Sequence, residues 1–219
     1  MPKISRGWMV SLIVVLIVFA DQALKVWVKT HMYLHESIRF TDWFYLFFTE
    51  NNGMAFGIEL FDKLFLTLFR MVAVGVLIWY LTKVVSRTEI RTGYLVCIAL
   101  IMAGAMGNIF DCLFYGLVFD QSYNSQLAVW FPQAGGYAGL FYGRVVDMFY
   151  FPLIDTVWPS WVPFVGGESF VFFRPIFNLA DASISVGIVL LLLFYRKDLA
   201  DLSVKKPSSE ATETPTTAE

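Results

Sequence analysis

The chain has 219 residues, of which 58% are hydrophobic, 18% aromatic and only 16% charged, with a net charge of -2 and a mean hydropathy of +0.63. A soluble domain has roughly 45–50% apolar residues, so this composition excludes an ordinary water-soluble globule and indicates an integral membrane protein. The basic residues sit as short flanks to apolar runs, not as a patch or stripe, which removes any argument for nucleic-acid binding.

Four apolar stretches have the length, about 20 residues, that crosses a hydrocarbon core as a helix. They are expected at Trp8–Val28, Leu64–Leu81, Tyr94–Leu117 and Ile176–Tyr195. Lys3 and Arg6 precede the first, Lys83, Arg87 and Arg91 separate the second from the third, and Arg196, Lys197, Lys205 and Lys206 follow the fourth. The positive-inside rule therefore places both termini and the middle loop on the cytoplasmic side. Segments 29–63 and 118–175 then lie outside, where their Trp, Tyr and Phe residues suit an interfacial belt. Residues 1–200 form one membrane-embedded domain, and the polar stretch 201–219 is expected to be a flexible cytoplasmic tail. The start of the chain also has features of a cleavable signal, with basic residues, an apolar run and Val18-Phe19-Ala20. The apolar pattern continues past Ala20 through Ala23, Leu24, Val26, Trp27 and Val28, which favours an uncleaved first span.

Cys97 and Cys112 fall on one expected helix about 22 Å apart by helical rise, beyond the roughly 4.4–6.8 Å of a disulfide, so they are free thiols used in packing. His31 and His35 are four apart with Glu36 adjoining. A helix could present both rings on one face, but no further ligand stands at a telling spacing, and a surface pair is the expectation. No zinc framework occurs.

The polar residues within the apolar runs carry more information. Asn108 and Asp111 share one face near the outer end of the third span, and Asn178 and Asp181 repeat that spacing near the outer start of the fourth. Asp147 lies in the outer segment within Val145-Val146-Asp147-Met148-Phe149-Tyr150-Phe151, apolar enough to dip into the interface. Asparagines in membrane helices commonly do no more than join helices, for about 1 kcal/mol. Carboxylates there are rare, paired and functional. By themselves these residues fit a proton or ion pathway and a carboxylate-based hydrolase equally well.

Five stretches in order resolve that choice. They are Asp21-Gln22-x-x-Lys25, Asn51-x-Gly53-Met54-Ala55-Phe56-Gly57, Gly104-x-x-Gly107-Asn108-x-x-Asp111, Val145-Val146-Asp147 and Phe177-Asn178-x-Ala180-Asp181. With them the chain resembles the lipoprotein signal peptidase family, also called signal peptidase II, along nearly its whole length. The resemblance implies an all-α membrane protein with four transmembrane helices, both termini cytoplasmic, and a small extracytoplasmic β-cradle with surface loops. It implies a monomeric aspartic endopeptidase of the bacterial cytoplasmic (inner) membrane, without cofactor or metal, working near the outer (periplasmic) face. The partners it implies are membrane lipids and diacylglyceryl-modified prolipoproteins, cut just before the lipidated cysteine. Asp147 and Asp181 become the catalytic pair, Asn108, Asp111 and Asn178 the surrounding active-site residues, and Asp21, Lys25, Asn51 and Gly53 substrate-cradle or structural residues. Two carboxylates about 4 Å apart at an effective dielectric near 20 repel by about 4 kcal/mol, about a thousandfold in proton affinity, so such a pair shares one proton.

Three departures from the family pattern stand out. Cys112 occupies the place, after the third-span aspartate, where the family usually has Arg, and Arg70 or Arg144 is the expected substitute cation. Met54 stands where the family favours Ala. The outer stretches 118–143 and 152–173 are longer than a minimal member needs, and are expected to be either a lid over the pair or a lineage-specific insertion resting on the membrane surface.

Overall fold

The structure, a computed structural model, describes residues 5–51 and 63–199. Helix α1 (Arg6–His31) begins at Ser5, whose side chain accepts the Trp8 N–H as an N-cap. A short strand β1 (Ser37–Arg39) and a longer β2 (Tyr45–Asn51) follow, then α2 (Lys63–Val84) and α3 (Thr92–Phe110). Without a break, α3 passes into a π-helical turn (Asp111–Tyr115) and a last turn α4 (Gly116–Val118). Strands β3 (Val145–Tyr150), β4 (Ile154–Val157), β5 (Ser169–Phe172) and β6 (Ile176–Phe177) precede α5 (Leu179–Phe194). Three of these helical segments, Arg6–His31, Lys63–Val84 and Thr92–Val118, are long and apolar enough to cross a membrane, and α5 is a shorter apolar helix.

The helices pack around α3, which contacts α5 and α1 most extensively. Small residues make this possible. A Cβ on Gly104 would meet the Ala180 carbonyl oxygen at 2.2 Å, so only glycine lets α3 and α5 approach this closely. The core at this end is built on Tyr94, Leu95, Ile98, Ala99 and Ala103 of α3, against Val10 and Val14 of α1 and Leu81 and Val84 of α2. Arg6 donates to the carbonyls of Arg87 and Ile90, and Arg91 pairs with Asp198 and donates to the Phe194 carbonyl. The chain start, the α2–α3 connection and the end of α5 thus gather at one end of the bundle.

At the other end an antiparallel sheet of order β1-β2-β3-β6 caps the bundle, with β4 and β5 forming a separate hairpin. Thr49 pairs with Asp147 and Asn51 with Val145. Side chains alternate along a strand, so Thr49, Asn51, Val145 and Asp147 share one face. Glu50, Val146 and Met148 point to the other. There Val146 and Met148 pack with Phe48, Tyr115, Phe119 and Val28 in a second core.

Several boundaries differ from expectation. The fourth helix starts at Leu179, not Ile176, because Ile176 and Phe177 are held as a strand by Tyr150 and Phe149. Asn178 is therefore outside the helix as its N-cap. Asp147 lies in the middle of a sheet strand, β3, paired with Thr49. His31 ends α1 and stacks on Trp27, while His35 lies beyond the helix with a φ of 68°, so the two rings share no helical face. Cys97 and Cys112 are both free and buried. Gly53, Met54 and the tail 201–219 lie outside the described residues.

Candidate active site

A cavity of about 900 Å³ lies between the sheet and the sheet-side ends of α2, α3 and α5. Its polar lining comes from Thr49 and Asn51 of β2, Asp147 of β3, Asn108 of α3, Asp181 and Ser185 of α5, Arg70 of α2 and Arg174 in the segment before β6. Phe173, Pro175, Ile176, Phe177, Ile184 and Val186 complete a mainly apolar wall. Asp147 and Asp181, 34 positions apart in the chain, thus border one space.

Two asparagines join them. The Asn178 side-chain amide donates to Asp147 Oδ1 at 2.7 Å and to Asn108 Oδ1 at 3.1 Å. The Asn178 Oδ1 accepts the Asp181 N–H at 2.9 Å, and Asp181 Oδ2 accepts the Asn178 N–H at 3.3 Å. That reciprocal pair is a capping box, which satisfies two of the N–H groups left over at a helix start. The Asn108 amide donates to Asp181 Oδ1 at 2.7 Å. Asn51 donates to Asp147 Oδ2 from the neighbouring strand. Asp147 is only 3% exposed. Its burial, and next the nearby Asp181 charge, raise its pKa from 3.8 to about 8, against the opposing pull of the Asn178 hydrogen bond and Lys25.

Beneath this pair lies a buried ionic network. Lys25 Nζ contacts Asp21 Oδ2 and Asp111 Oδ2 at 2.8 Å each and donates to Asn108 Oδ1 at 2.9 Å. Three ammonium protons meet three acceptors, which is how a charge can be held at 0% exposure. Asp21 Oδ1 accepts the Ala180 N–H at 2.9 Å in the first turn of α5, and Asp111 Oδ2 accepts the Val146 N–H at 3.3 Å beside Asp147. Asp21, Lys25 and Asp111 thus stand behind the cavity and fix the elements that carry the two aspartates. Asp21 and Lys25 are both fully buried.

The two candidate cations separate. Arg70 borders the cavity, and its guanidinium Nη1 lies 3.9 Å from Cys112 Sγ. Arg144 lies over the Tyr137 ring and pairs with Glu50 Oε2 at 3.5 Å, on the far face of the sheet. Sequence reasoning gave no role to Gln22, although its motif was noted. Its amide donates to Asp111 Oδ1 at 2.8 Å and its Oε1 accepts the Tyr115 hydroxyl at 3.0 Å. The Lys29–Glu50–Ser122 cluster, which ties α1 and the 118–143 segment to β2 one residue from Asn51, was also missed. A lysine one turn beyond Lys25 on an apolar helix was its only signal.

Comparison with known proteins identifies the family. The model of the signal peptidase (SPase) II family matches residues 13–196. A lipoprotein signal peptidase of Porphyromonas gingivalis (strain ATCC 33277) is 51% identical over 200 residues, covering 91% of this chain and 88% of the relative. One from Amoebophilus asiaticus (strain 5a2) is 34% identical over 215 residues, covering 95% and 86%. A solved bacterial membrane enzyme, determined by the in meso method at 2.3 Å, shares the fold with a TM-score of 0.60 and 23% identity, covering 95% of this chain and 98% of its own. The resemblance drawn from the five sequence stretches is borne out: the chain belongs to the signal peptidase II family.

Proposed function

We propose that the protein is an aspartic endopeptidase that removes the signal peptide from diacylglyceryl-modified prolipoproteins by cleaving before the lipidated cysteine. The observation that carries this reading is the convergence of Asp147 and Asp181 on one cavity, joined through Asn178 and Asn108. Asp147, the more deeply buried, keeps the proton at neutral pH and polarises the scissile carbonyl. Asp181 takes a proton from the attacking water. The proton on Asp147 then passes to the leaving amine as the tetrahedral intermediate collapses. The family names of the relatives support the choice of substrate. The mainly apolar wall suits a signal-peptide segment, and the opening beside lipid lets acyl chains stay in the bilayer while the peptide bond meets water.

With Arg174 also bordering the cavity, Arg70 is the cation that reaches the site from a spanning helix. It enters from α2 where the third span carries Cys112, and its guanidinium holds the substrate backbone near the pair. The chain acts as a monomer in the cytoplasmic membrane, with four spans, both termini cytoplasmic and the cavity near the outer face.

The test is cleavage of a diacylglyceryl-modified prolipoprotein by the purified protein in detergent. Asp147→Asn and Asp181→Asn, each folded as well as wild type, are expected to lower kcat by at least about 10²-fold, as befits loss of a general acid or base. Arg70→Gln is expected to raise KM. Full cleavage by either aspartate variant would refute the dyad, and unchanged kinetics of Arg70→Gln would refute its role.

A further inference from the structure

The hairpin β4–β5 stands apart from the rest of the molecule. Ile154 pairs with Phe172 and Thr156 with Phe170, while Asp155 pairs with Val171 and Val157 with Ser169. One face therefore carries Ile154, Thr156, Phe170 and Phe172, extended by Trp158, whose ring lies 4.8 Å from Phe170. The opposite face carries Asp155, Val157, Ser169 and Val171. All four residues of β4 are exposed, and among the described residues no other element packs extensively on the hairpin. A two-stranded hairpin alone is at best marginally stable in water, so this one requires a surface to lie on.

Its tip identifies that surface. Backbone hydrogen bonds order it, from Val162 to Pro159 and Gly166 to Val162 at 3.0 Å each, and from Gly167 to Trp158 at 2.9 Å. This ordered turn presents Trp161 at 79% and Phe164 at 101% exposure. Large aromatic groups held so far out of the protein are suited to the lipid interface, where Trp is enriched. The position agrees, because the hairpin returns to the sheet through Phe173–Phe177 immediately before α5, whose Val186, Val189, Leu192 and Leu193 form an exposed apolar flank. Trp43, Phe151, Phe173 and Phe177 join the two regions in a ring cluster. From Val145 to Phe173 the chain has no Lys or Arg, and the hairpin itself carries only Asp155 and Glu168. The base of the hairpin has a cation in Arg174, which donates to the Ser169 carbonyl at 3.4 Å, but the tip 159–167 has none, so apolar partition is the binding force of the tip.

We propose that the β4–β5 hairpin is a lipid-binding paddle. Its tip is seated in the headgroup and upper acyl region of the leaflet next to α5, its aromatic face turned to lipid and its Asp155 face turned to water. Docked in this way, it braces Phe173–Phe177, the wall of the cavity. The proposal is independent of the reaction catalysed.

The experiment uses the full chain in nanodiscs, labelled with the environment-sensitive fluorophore NBD at Phe164→Cys or at Ser169→Cys, both exposed positions that leave packing intact. Cys97 and Cys112 are buried, and unsubstituted protein measures any background labelling. At position 164 a blue-shifted emission is expected, quenched by lipids carrying a doxyl group near the headgroup and not by aqueous iodide. At position 169 iodide quenching is expected. Phosphatidylcholine discs with or without phosphatidylglycerol should give the same result. Iodide quenching at 164 would overturn the proposal. So would blue emission there that no doxyl lipid quenches, since the tip would then be covered by protein, a second copy included. Dependence on anionic lipid would overturn the apolar mode of binding, and lipid quenching at both positions would overturn the assignment of faces.

Discussion

Asp147 keeps its proton up to about pH 8 because burial and the Asp181 carboxylate both oppose its ionisation. With the protonated form as the working acid, kcat/KM falls as pH rises through about 8, the alkaline limb of the profile that an acid and base pair gives, and a pH–rate profile checks this. The same shift has a consequence for stability. The folded carboxyl binds its proton more tightly than the unfolded one, so the folded state holds more protons between about 3.8 and about 8. This contribution is fully present below the lower value, is lost as pH rises through the upper, and is constant beyond. The melting temperature of wild type should therefore fall relative to Asp147→Asn as pH rises through this window. Asn178 has two separable tasks, capping α5 with its Oδ1 and donating to Asp147 with its amide. Asn178→Ser retains a capping oxygen and loses the donor, so kcat should drop at least about tenfold, one hydrogen bond to a charged or reacting group, with little change in Tm. Asn178→Ala should add a capping loss of about 1 kcal/mol, seen in thermal unfolding.

At the scale of elements, the site depends on the close approach of α3 and α5. Asn108 on α3 donates to Asp181 on α5, and Gly104 and Gly107 are what allow it. A Cβ at Gly107 would lie 2.7 Å from Asp21 Oδ2, and one at Gly104 would lie 2.2 Å from backbone. Backbone cannot yield as a flexible side chain can, so Gly104→Ala should separate the helices, destabilise by about 1–3 kcal/mol as overpacking does, and lower activity with the dyad residues intact. Measured Tm and kcat would report both effects. The π-helical turn at Asp111 belongs to the same device. The Cys112 carbonyl accepts the Gly143 N–H at 2.9 Å, so the segment after α4 returns to the end of α3 and delivers Val145–Asp147 to the sheet.

Across the whole molecule the two ends have different tasks. One collects Arg6, the 85–91 connection and the end of α5 through Arg91–Asp198, and the other carries the sheet, the cavity and the hairpin. The topology proposed from the basic flanks puts the first end in the cytoplasm. A reporter fused to the C-terminus should be active only inside the cell, and one inserted in the 118–143 segment only outside. The opposite pattern would move the cavity to the inner face and refute the proposed site of processing.

Hydrophobic length and basic flanks are properties of continuous sequence, so the four apolar stretches, their order and the carboxylates beside them were legible before any fold. The five motif stretches also indicated the family. What linear reading missed were features set by partners distant in the chain. Pairing with β3 makes Ile176 and Phe177 a strand and leaves Asn178 as a cap, although their apolar character alone extends the helix to them. Asp147 gains its face from the register with Thr49, and Lys25 its role from two other helical segments. Arg70 and Arg144 are equally basic in sequence, but α2 turns one into the cavity while strand alternation and Glu50 hold the other behind the sheet. The sequence by itself determined which groups the protein owns and that they belong beside lipid, because hydropathy is local. Only the tertiary structure decided which of them meet, because strand register and helix approach are set by contacts between residues far apart in the chain.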